Sequence, residues 1–327
     1  MPTDTTPRRL HDYRDRLRER LNRPIDVRAR RVTISSGALG IQKSFYVSLP
    51  PGYHKISERG RRYPVMYFFR GHEREWVHRM QDRTRHGRTV IDVYRALLEE
   101  GKVGPVILVF PGTSSDDNRV PGLLVNFRQP ELAAKTPGIG TGRFEDYFIH
   151  ELVPYVDAHY RTIARREGRA VEGFSLGGYQ AVKIAAQHPG MFVSAGAFDG
   201  TFLYATMGGR GVRQNDRVFR NPMLAPIFGE KRDMAYAAAN SPANLLLTGD
   251  REALAGVQWL VRSGPEEAEP WHSNFYRCRH LTGILKQRGL ENGLDPVFGG
   301  ATHTWYWADR HAHDTIPLHW QAMAHEA

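Results

Sequence analysis

The amino-acid sequence predicts an α/β protein built on one mostly parallel sheet with helices on both faces. Short apolar runs typical of buried strands, such as residues 64–69 and 106–110, alternate with segments of helical periodicity, such as residues 90–98 and 177–188. Strand–helix alternation of this kind favours a parallel sheet covered on both sides. The length of 327 residues is compatible with one such unit.

The other elements follow the same alternation along the chain. Strands are predicted at residues 31–35, 44–49, 170–173, 192–198, 258–261 and 296–298, and helices at residues 145–160, from 242, at 273–288 and from 309 onward. Start and stop signals support the helices: Ser241-Pro242 begins one, Pro189-Gly190 ends another, and Gly289 caps a third.

Two stretches lack a regular pattern. Residues 112–142 are rich in Gly, Pro, Ser and Asn, and a loop of this length in a compact domain usually has a function. Residues 199–240 have a weak pattern with many Gly, Arg and Asn, and we expect a lid-like excursion over the site there.

Composition excludes several classes of function. Apolar residues make up 41% of the chain and charged residues 24%, which is typical of a globular protein with a large core. No run of eighteen apolar residues occurs, so no membrane span is predicted. The net charge of +10 has no nucleic-acid motif beside it, and we expect no nucleic-acid partner.

The N-terminal residues are polar and then basic, which predicts no secretory signal. Residues 8–22 predict a basic amphipathic helix that could dock on the body, pair with another subunit of a homo-oligomer or contact an acidic partner. We therefore divide the chain into an N-terminal extension over residues 1–25 and a main domain over residues 26–327. The only cysteine, Cys278, excludes an intrachain disulfide, is expected in the core and agrees with a cytoplasmic location.

The strongest chemical signal is the segment Gly173-Phe174-Ser175-Leu176-Gly177-Gly178. It follows a predicted strand and opens a predicted helix, which is the context that a G-x-S-x-G nucleophile elbow requires. A serine at such a sharp turn has its hydroxyl exposed above the sheet, and side chains two residues to either side would collide across the turn. We expect Ser175 to be a nucleophile.

A serine hydroxyl is a weak nucleophile and needs a base. In proteins with this elbow the chain order is serine, acid, histidine, so the histidine lies near the C-terminus. His303 fits, because glycines precede it and aromatic residues follow it. The rivals by order alone are His311, His313, His319 and His325, which we assign to a helix or the tail.

An acid should orient the histidine, and it should follow the strand before last. That strand is residues 258–261, and Glu266, Glu267 and Glu269 follow its turn. Glu267 is preferred and its two neighbours stay open alternatives. Asp250 is disfavoured because its segment fits better as the end of the helix that begins at Pro242.

The backbone N–H of Leu176, directly after the serine, is the first candidate donor to an oxyanion. The second should come from the loop after the third strand, where Gly71 allows close passage and the N–H of His72 is the candidate. Trp76 and Trp305 are expected to form walls of the substrate pocket, with core packing as the competing interpretation.

The sequence resembles the esterase D-like "putative esterase" family of α/β-hydrolases. The resemblance rests on the elbow, on Val47-Ser48-Leu49-Pro50-Pro51-Gly52-Tyr53, on Glu151-Leu152-Val153-Pro154-Tyr155-Val156-Asp157, on Tyr160-Arg161-Thr162 and on His303 with its aromatic residues. It implies the α/β-hydrolase fold, a Ser-acid-His triad and an acid at the third residue after Gly264, which is Glu267. Members include S-formylglutathione hydrolases, feruloyl and acetylxylan esterases, siderophore esterases and mycolyltransferases.

The sequence departs from that family at three places. Arg70 stands where relatives usually have His, Pro111-Gly112-Thr113 replaces Pro-Asp-Gly, and the acid lies in a Glu-rich loop.

From the elbow, the candidate triad and the resemblance, we expect a serine esterase that acts on a small-molecule ester or thioester through an acyl-enzyme. The alternatives are an acyltransferase with the same triad and a non-catalytic binding protein. No cofactor and no metal is expected, since the His311 and His313 spacing matches no strong signature.

Overall fold

The structure is a computed structural model that describes residues 24–203, 219–269 and 272–324. Seven strands in these residues form one sheet in the order β1-β2-β4-β3-β5-β6-β7. The strands are β1 (Arg30–Ser36), β2 (Ile41–Ser48), β3 (Val65–Phe69), β4 (Ile107–Pro111), β5 (Arg169–Phe174), β6 (Ser194–Phe198) and β7 (Gln258–Arg262). β2 pairs antiparallel with β1 and β4, and all other pairs are parallel.

The helices connect the parallel strands and continue beyond them. They are α1 (Val90–Glu99), α2 (Phe144–Asp146, continuous through the π-helical Tyr147–Leu152 with Val153–His159), α3 (Leu176–Gln187), α4 (Ala225–Phe228), α5 (Met234–Ala239), α6 (Pro242–Thr248), α7 (Arg251–Ala255), α8 (Phe275–Gln287) and α9 (Trp305–Ala322). Short 3₁₀ turns lie at Ile56–Glu58, Arg83–Arg85, Pro130–Ala133, Arg166–Gly168, Pro222–Leu224 and Glu266–Ala268.

Each face of the sheet has its own hydrophobic core. In β3, Val65, Tyr67 and Phe69 point into one core, and Met66 and Phe68 into the other, because side chains alternate along a strand. The first core includes buried residues of α2, α3, α6 and α8, and the second includes those of α1 and α9. The predicted α/β fold with helices on both faces is therefore confirmed.

Some predicted elements differ from the structure. Residues 296–298 form only an isolated bridge, between Val297 and Ser263, so the predicted eighth strand is wrong. The last helix begins at Trp305 rather than Asp309. Asp250 follows the end of α6 and caps the N-terminus of α7, where its side chain accepts a hydrogen bond from the Ala253 N–H. The remaining strands and helices lie within a few residues of the predicted ranges.

The two irregular stretches are largely packed into the fold. In the long loop, Leu123, Leu124, Val125 and Ile139 are buried in the first core, although its only helical turn is Pro130–Ala133. Residues 219–240 form α4, α5 and a preceding turn, also against that core. Residues 199–203 of the predicted lid follow β6 and are described, and residues 204–218 lie outside the described residues.

The N-terminal helix at residues 8–22 also lies outside the described residues, so the division into an extension and a main domain stays a prediction. Among the described residues, no helix is both long and apolar enough to cross a lipid bilayer.

A buried ion pair joins the loop before α1 to α9. The Arg85 guanidinium donates two hydrogen bonds of 2.8 Å to the carboxylate of Asp309. It also donates to the carbonyls of Glu75 and Trp76 and stacks over the Trp305 ring. The first turn of α9 is thus fixed against the loop after β3.

Replacement of one partner leaves the other charge buried and unpaired, which costs about 3–5 kcal/mol. We expect Arg85→Met to lower the free energy of unfolding by about this amount, measured by urea denaturation. Arg83→Met is the control, because Arg83 is exposed on the same turn, and should stay within about 0.5 kcal/mol of the wild type. Equal stability of the two variants would contradict the structural role of the pair.

Candidate active site

Ser175 lies at a sharp turn between β5 and α3, at the carboxyl edge of the sheet. Its backbone has φ 59° and ψ −118°, a conformation that side-chain-bearing residues rarely adopt. A Cβ on Gly173 would lie 2.1 Å from the carbonyl oxygen of Gly177, and one on Gly177 would lie 1.9 Å from that of Phe69. The expected collision across the turn is therefore confirmed, and both positions require glycine.

The hydroxyl of Ser175 has a neighbour that the sequence did not indicate. Thr201 places its Oγ1 3.4 Å from Ser175 Oγ, and its N–H donates to the Ser175 carbonyl at 3.0 Å. The Ser175 N–H donates to the carbonyl of Phe198 at the end of β6. The turn after β6 therefore supports the nucleophile elbow from one side.

His303 lies beside this elbow, in the loop before α9. Its ring contacts the ring of Phe174 with 4.7 Å between centroids, and Phe174 directly precedes Ser175. Its Nδ1 contacts the Oδ2 of Asp199, whose side chain is fully buried. The imidazole is held on one side by a carboxylate, which leaves Nε2 as its other hydrogen-bonding atom.

Asp199 follows β6 and is fixed by several backbone contacts. Its N–H donates to the carbonyl of Arg262 at 2.8 Å, and its Oδ1 accepts from the N–H of Asn274 at 2.7 Å. The Asn274 side chain donates to the Asp199 carbonyl. These hydrogen bonds fix the position of Asp199 beside His303.

The predicted acid, Glu267, is not the carboxylate that the structure places against His303. Glu267 is exposed on the turn Glu266–Ala268, and the carboxylate that contacts His303 belongs to Asp199. Glu266 accepts a hydrogen bond from the hydroxyl of Tyr276, and Glu269 from its N–H at the start of α8. Asp199 follows β6, the direct neighbour of β5, whereas the turn that carries Glu267 follows β7, one strand further away.

The two candidate oxyanion donors differ in availability. Leu176 is the first residue of α3, so its N–H has no acceptor within the helix and lies at the positive end of the helix dipole. The N–H of His72 instead donates to Oε2 of Glu75 at 2.8 Å, and the N–H of Gly71 donates to the same atom. The expected free donor at His72 is thus occupied in this structure.

The His72 side chain belongs to a charged cluster. Its Nδ1 lies 3.0 Å from Oε2 of Glu73, a buried carboxylate. Burial acts to raise the pKa of Glu73, but the hydrogen bond and charge of His72 and the charge of Lys43 outweigh it and lower this pKa to about 2. Glu73 is therefore ionised and fixes the imidazole of His72.

Trp76 and Trp305 are core residues in this structure rather than open pocket walls. Their rings meet edge to face at 5.0 Å, and only 2% and 5% of their surfaces are exposed. Trp305 also contacts Phe174. The pair packs against Phe174 of the elbow through Trp305, which fits core packing, the competing interpretation.

The other histidines and the cysteine considered from the sequence take part in structural contacts where the structure describes them. His311 and His319 are buried against Glu172, and His313 contacts Asp314; His325 lies outside the described residues. Burial raises the pKa of the Cys278 thiol to about 12, as expected for a core residue. The described residues contain no group of three or more His, Cys, Asp or Glu side chains placed to hold a metal ion.

The strained backbone of Ser175 leads to a stability prediction. Ser175→Ala and Ser175→Gly both remove the hydroxyl, but only glycine adopts this φ and ψ without strain. We expect Ser175→Gly to exceed Ser175→Ala by about 1 kcal/mol in free energy of unfolding, measured by urea denaturation. Equal values for the two variants would show that the turn is unstrained.

Known proteins share both the sequence and the architecture. An esterase of Mycobacterium tuberculosis is 34% identical over 166 residues, which cover 50% of this chain and 30% of that protein. An endo-1,4-beta-xylanase/feruloyl esterase of Xylanibacter ruminicola is 29% identical over 170 residues, 52% of this chain and 21% of that protein. The chain thus spans less than a third of the length of these curated relatives.

The structural likeness extends over nearly the whole chain. A ferulic acid esterase covers 90% of this chain and 98% of its own, with a TM-score of 0.66 and 20% identity. An S-formylglutathione hydrolase from Agrobacterium tumefaciens covers 91% and 97%, with a TM-score of 0.64 and 18% identity. The family model described as "Putative esterase" matches residues 36–307. The chain belongs to the "Putative esterase" family and has the α/β-hydrolase fold.

Proposed function

We propose that this chain is a serine esterase that hydrolyses a carboxylic ester or thioester through an acyl-enzyme on Ser175. The observation that carries the proposal is the contact between His303 Nδ1 and the buried carboxylate of Asp199, beside the elbow that bears Ser175. Three segments far apart in sequence meet there, in the chain order Ser175, Asp199, His303. Membership of the family supports the same chemistry.

In the proposed reaction each side chain has a distinct role. With its Nδ1 proton directed to Asp199, His303 offers the lone pair of Nε2 as a base. It takes the Ser175 hydroxyl proton as Oγ bonds to the carbonyl carbon of the substrate. Asp199 orients the imidazole and stabilises the imidazolium without taking its proton.

The intermediate then collapses. The bond from the carbonyl carbon to the alcohol oxygen, or to the thiol sulfur, breaks, and His303 returns the proton to the leaving group. Water repeats the two steps on the acyl-enzyme and releases the acid. The N–H of Leu176 stabilises the developing oxyanion, since it lies at the N-terminus of α3. The N–H of His72 can add to this only after its bond to Glu75 breaks.

Thr201 is the further residue that the geometry adds to this site. Its hydroxyl lies within 3.4 Å of Ser175 Oγ and is almost fully buried. It therefore limits the orientations that the nucleophile can take.

The test of the proposed function is labelling and turnover. Wild-type protein should react covalently with a fluorophosphonate probe and hydrolyse p-nitrophenyl esters, and Ser175→Ala should lose both while its melting transition stays close to wild type. Esters of graded chain length, feruloyl esters and thioesters identify the acyl preference, and assays with an added alcohol separate hydrolysis from transfer. Absence of labelling on folded wild-type protein would refute the enzyme proposal.

The position of the acid gives a second test. Asp199→Asn should lower kcat by on the order of 10³ or more, because the imidazolium loses its orienting charge. Glu267→Gln is the matched control, an exposed carboxylate on the turn where the sequence placed the acid, and should keep kcat within about twofold. A large loss in Glu267→Gln with normal turnover in Asp199→Asn would reverse the assignment.

A further inference from the structure

A fully buried carboxylate lies three residues before the nucleophile, on the strand that leads to the elbow. Glu172 in β5 has no exposed surface, and its Oε1 accepts from the N–H of Gly173 at 2.8 Å. Its Oε2 accepts from Thr315 Oγ1 at 2.7 Å and lies 3.2 Å from His319 Nε2. The proposed mechanism uses none of these side chains.

The partners of Glu172 come from one face of α9. His311, Thr315 and His319 are spaced by four residues, so they lie in a row along the helix. His311 Nε2 lies 3.4 Å from Glu172 Oε1. Because α9 begins two residues after His303, this row fixes the helix that carries the histidine loop against the strand that carries the serine.

The network continues to the third segment of the site. Arg262 in β7 donates from Nε to His311 Nδ1 at 2.9 Å and from its guanidinium to Asp314 at 2.7 Å. The carbonyl of Arg262 accepts the N–H of Asp199. One continuous set of contacts therefore reaches the strand before Ser175, the helix after His303 and the backbone of Asp199.

The neighbouring strand leaves space for this carboxylate. A Cβ on Gly196 in β6 would lie 2.2 Å from Glu172 Oε2 and 2.9 Å from His319 Nε2. Any side chain at position 196 would therefore displace the carboxylate from its partners. The absence of a side chain at Gly196 in β6 therefore provides the space that the Glu172 carboxylate of β5 occupies.

The charge of Glu172 is compensated inside the protein. Burial acts to raise the pKa of this carboxyl, but its interactions with His311 and His319 outweigh burial and hold the pKa below its usual range. His311 Nδ1 accepts from Arg262 and burial lowers the pKa of His311, so His311 faces Glu172 as a neutral imidazole. A buried carboxylate loses much of its stabilisation when one partner is removed. The network is consequently sensitive to small changes in the relative position of β5 and α9.

We propose that Glu172 is a positioning residue for the hydrolytic reaction: its carboxylate fixes α9 against β5 and thereby sets His303 relative to Ser175. This inference rests on the proposed function. A displacement of about 1 Å between a nucleophile and its base can reduce a rate by up to a hundredfold. The contacts of Glu172 span the two elements whose relative position sets that distance.

The experiment compares two buried carboxylates. Glu172→Gln should lower kcat and the rate of fluorophosphonate labelling of Ser175 about tenfold to a hundredfold, with KM within about twofold, because substrate contacts are unchanged. Asp26→Asn is the control. Asp26 has no exposed surface, accepts from Thr89 Oγ1 and pairs with Arg28 and Arg79, but it touches none of the three segments. It should lose stability while kcat per labelled site stays at the wild-type value.

If Glu172→Gln does not fold, a milder pair of variants tests the same proposal. Thr315→Val and Thr89→Val each remove one hydroxyl that donates to a buried carboxylate, Glu172 in the first case and Asp26 in the second. Thr315→Val should lower kcat several-fold, and Thr89→Val should leave it unchanged. In the double variant Glu172→Gln/Thr315→Val the two losses should be less than additive, since both residues share one interaction.

Two results would overturn the positioning role. One is a kcat within twofold of wild type in folded Glu172→Gln or Thr315→Val, and the other is an equal loss of kcat in the controls at Asp26 and Thr89. These results leave the proposed function intact, because the wild type still labels and turns over. Failure of the proposed function is recognised separately, by folded wild-type protein that neither labels nor hydrolyses esters.

Discussion

The backbone turn at Ser175 is the constraint on which the rest of the site depends. The carbonyl of Phe69, the turn at Gly173 and the first turn of α3 meet so closely that no Cβ fits between them. The strained conformation of Ser175 persists because β5 pairs with β3 on one side and β6 on the other. The nucleophile consequently lies at the carboxyl edge of a central strand, where open α/β sheets place their ligands.

Two buried lysines with internal partners hold the long loop at residues 112–142. Lys183 in α3 is fully buried, pairs with Glu145 at 2.6 Å and donates to the carbonyl of Leu124. Lys43 in β2 donates to the carbonyls of Ser114 and Gly138. Both lysines therefore bind carbonyls of the long loop at residues 112–142. A loop without regular hydrogen bonding is held in place by ammonium donors, since its buried carbonyls need partners.

The carboxylate that contacts His303 shows what sequence patterns omit. The segment Ala197-Phe198-Asp199-Gly200 carries a signal: a buried strand that ends in an aspartate, directly after the strand of the elbow. The weak pattern of residues 199–240 instead places Asp199 in an irregular stretch, and the glutamates after the next strand are the stronger local candidates. Asp199 and Glu267 both lie between Ser175 and His303 in the chain, so chain order does not distinguish them, and only the contact of Asp199 with His303 does. The tryptophans are a parallel case, because an aromatic residue near a site can form a pocket wall or support it from below.

The sequence by itself determined the fold class, most elements and the two ends of the candidate triad. Hydrophobic periodicity and the glycines of the elbow are local properties, and a local pattern is sufficient to predict a strand, a helix or a tight turn. The tertiary structure alone decided that Asp199 meets His303, that the N–H of His72 is taken by Glu75, and that Glu172 meets α9. These contacts join residues whose proximity comes from sheet order and helix packing, and pairs of charged or polar side chains leave no periodic signal in the sequence between them.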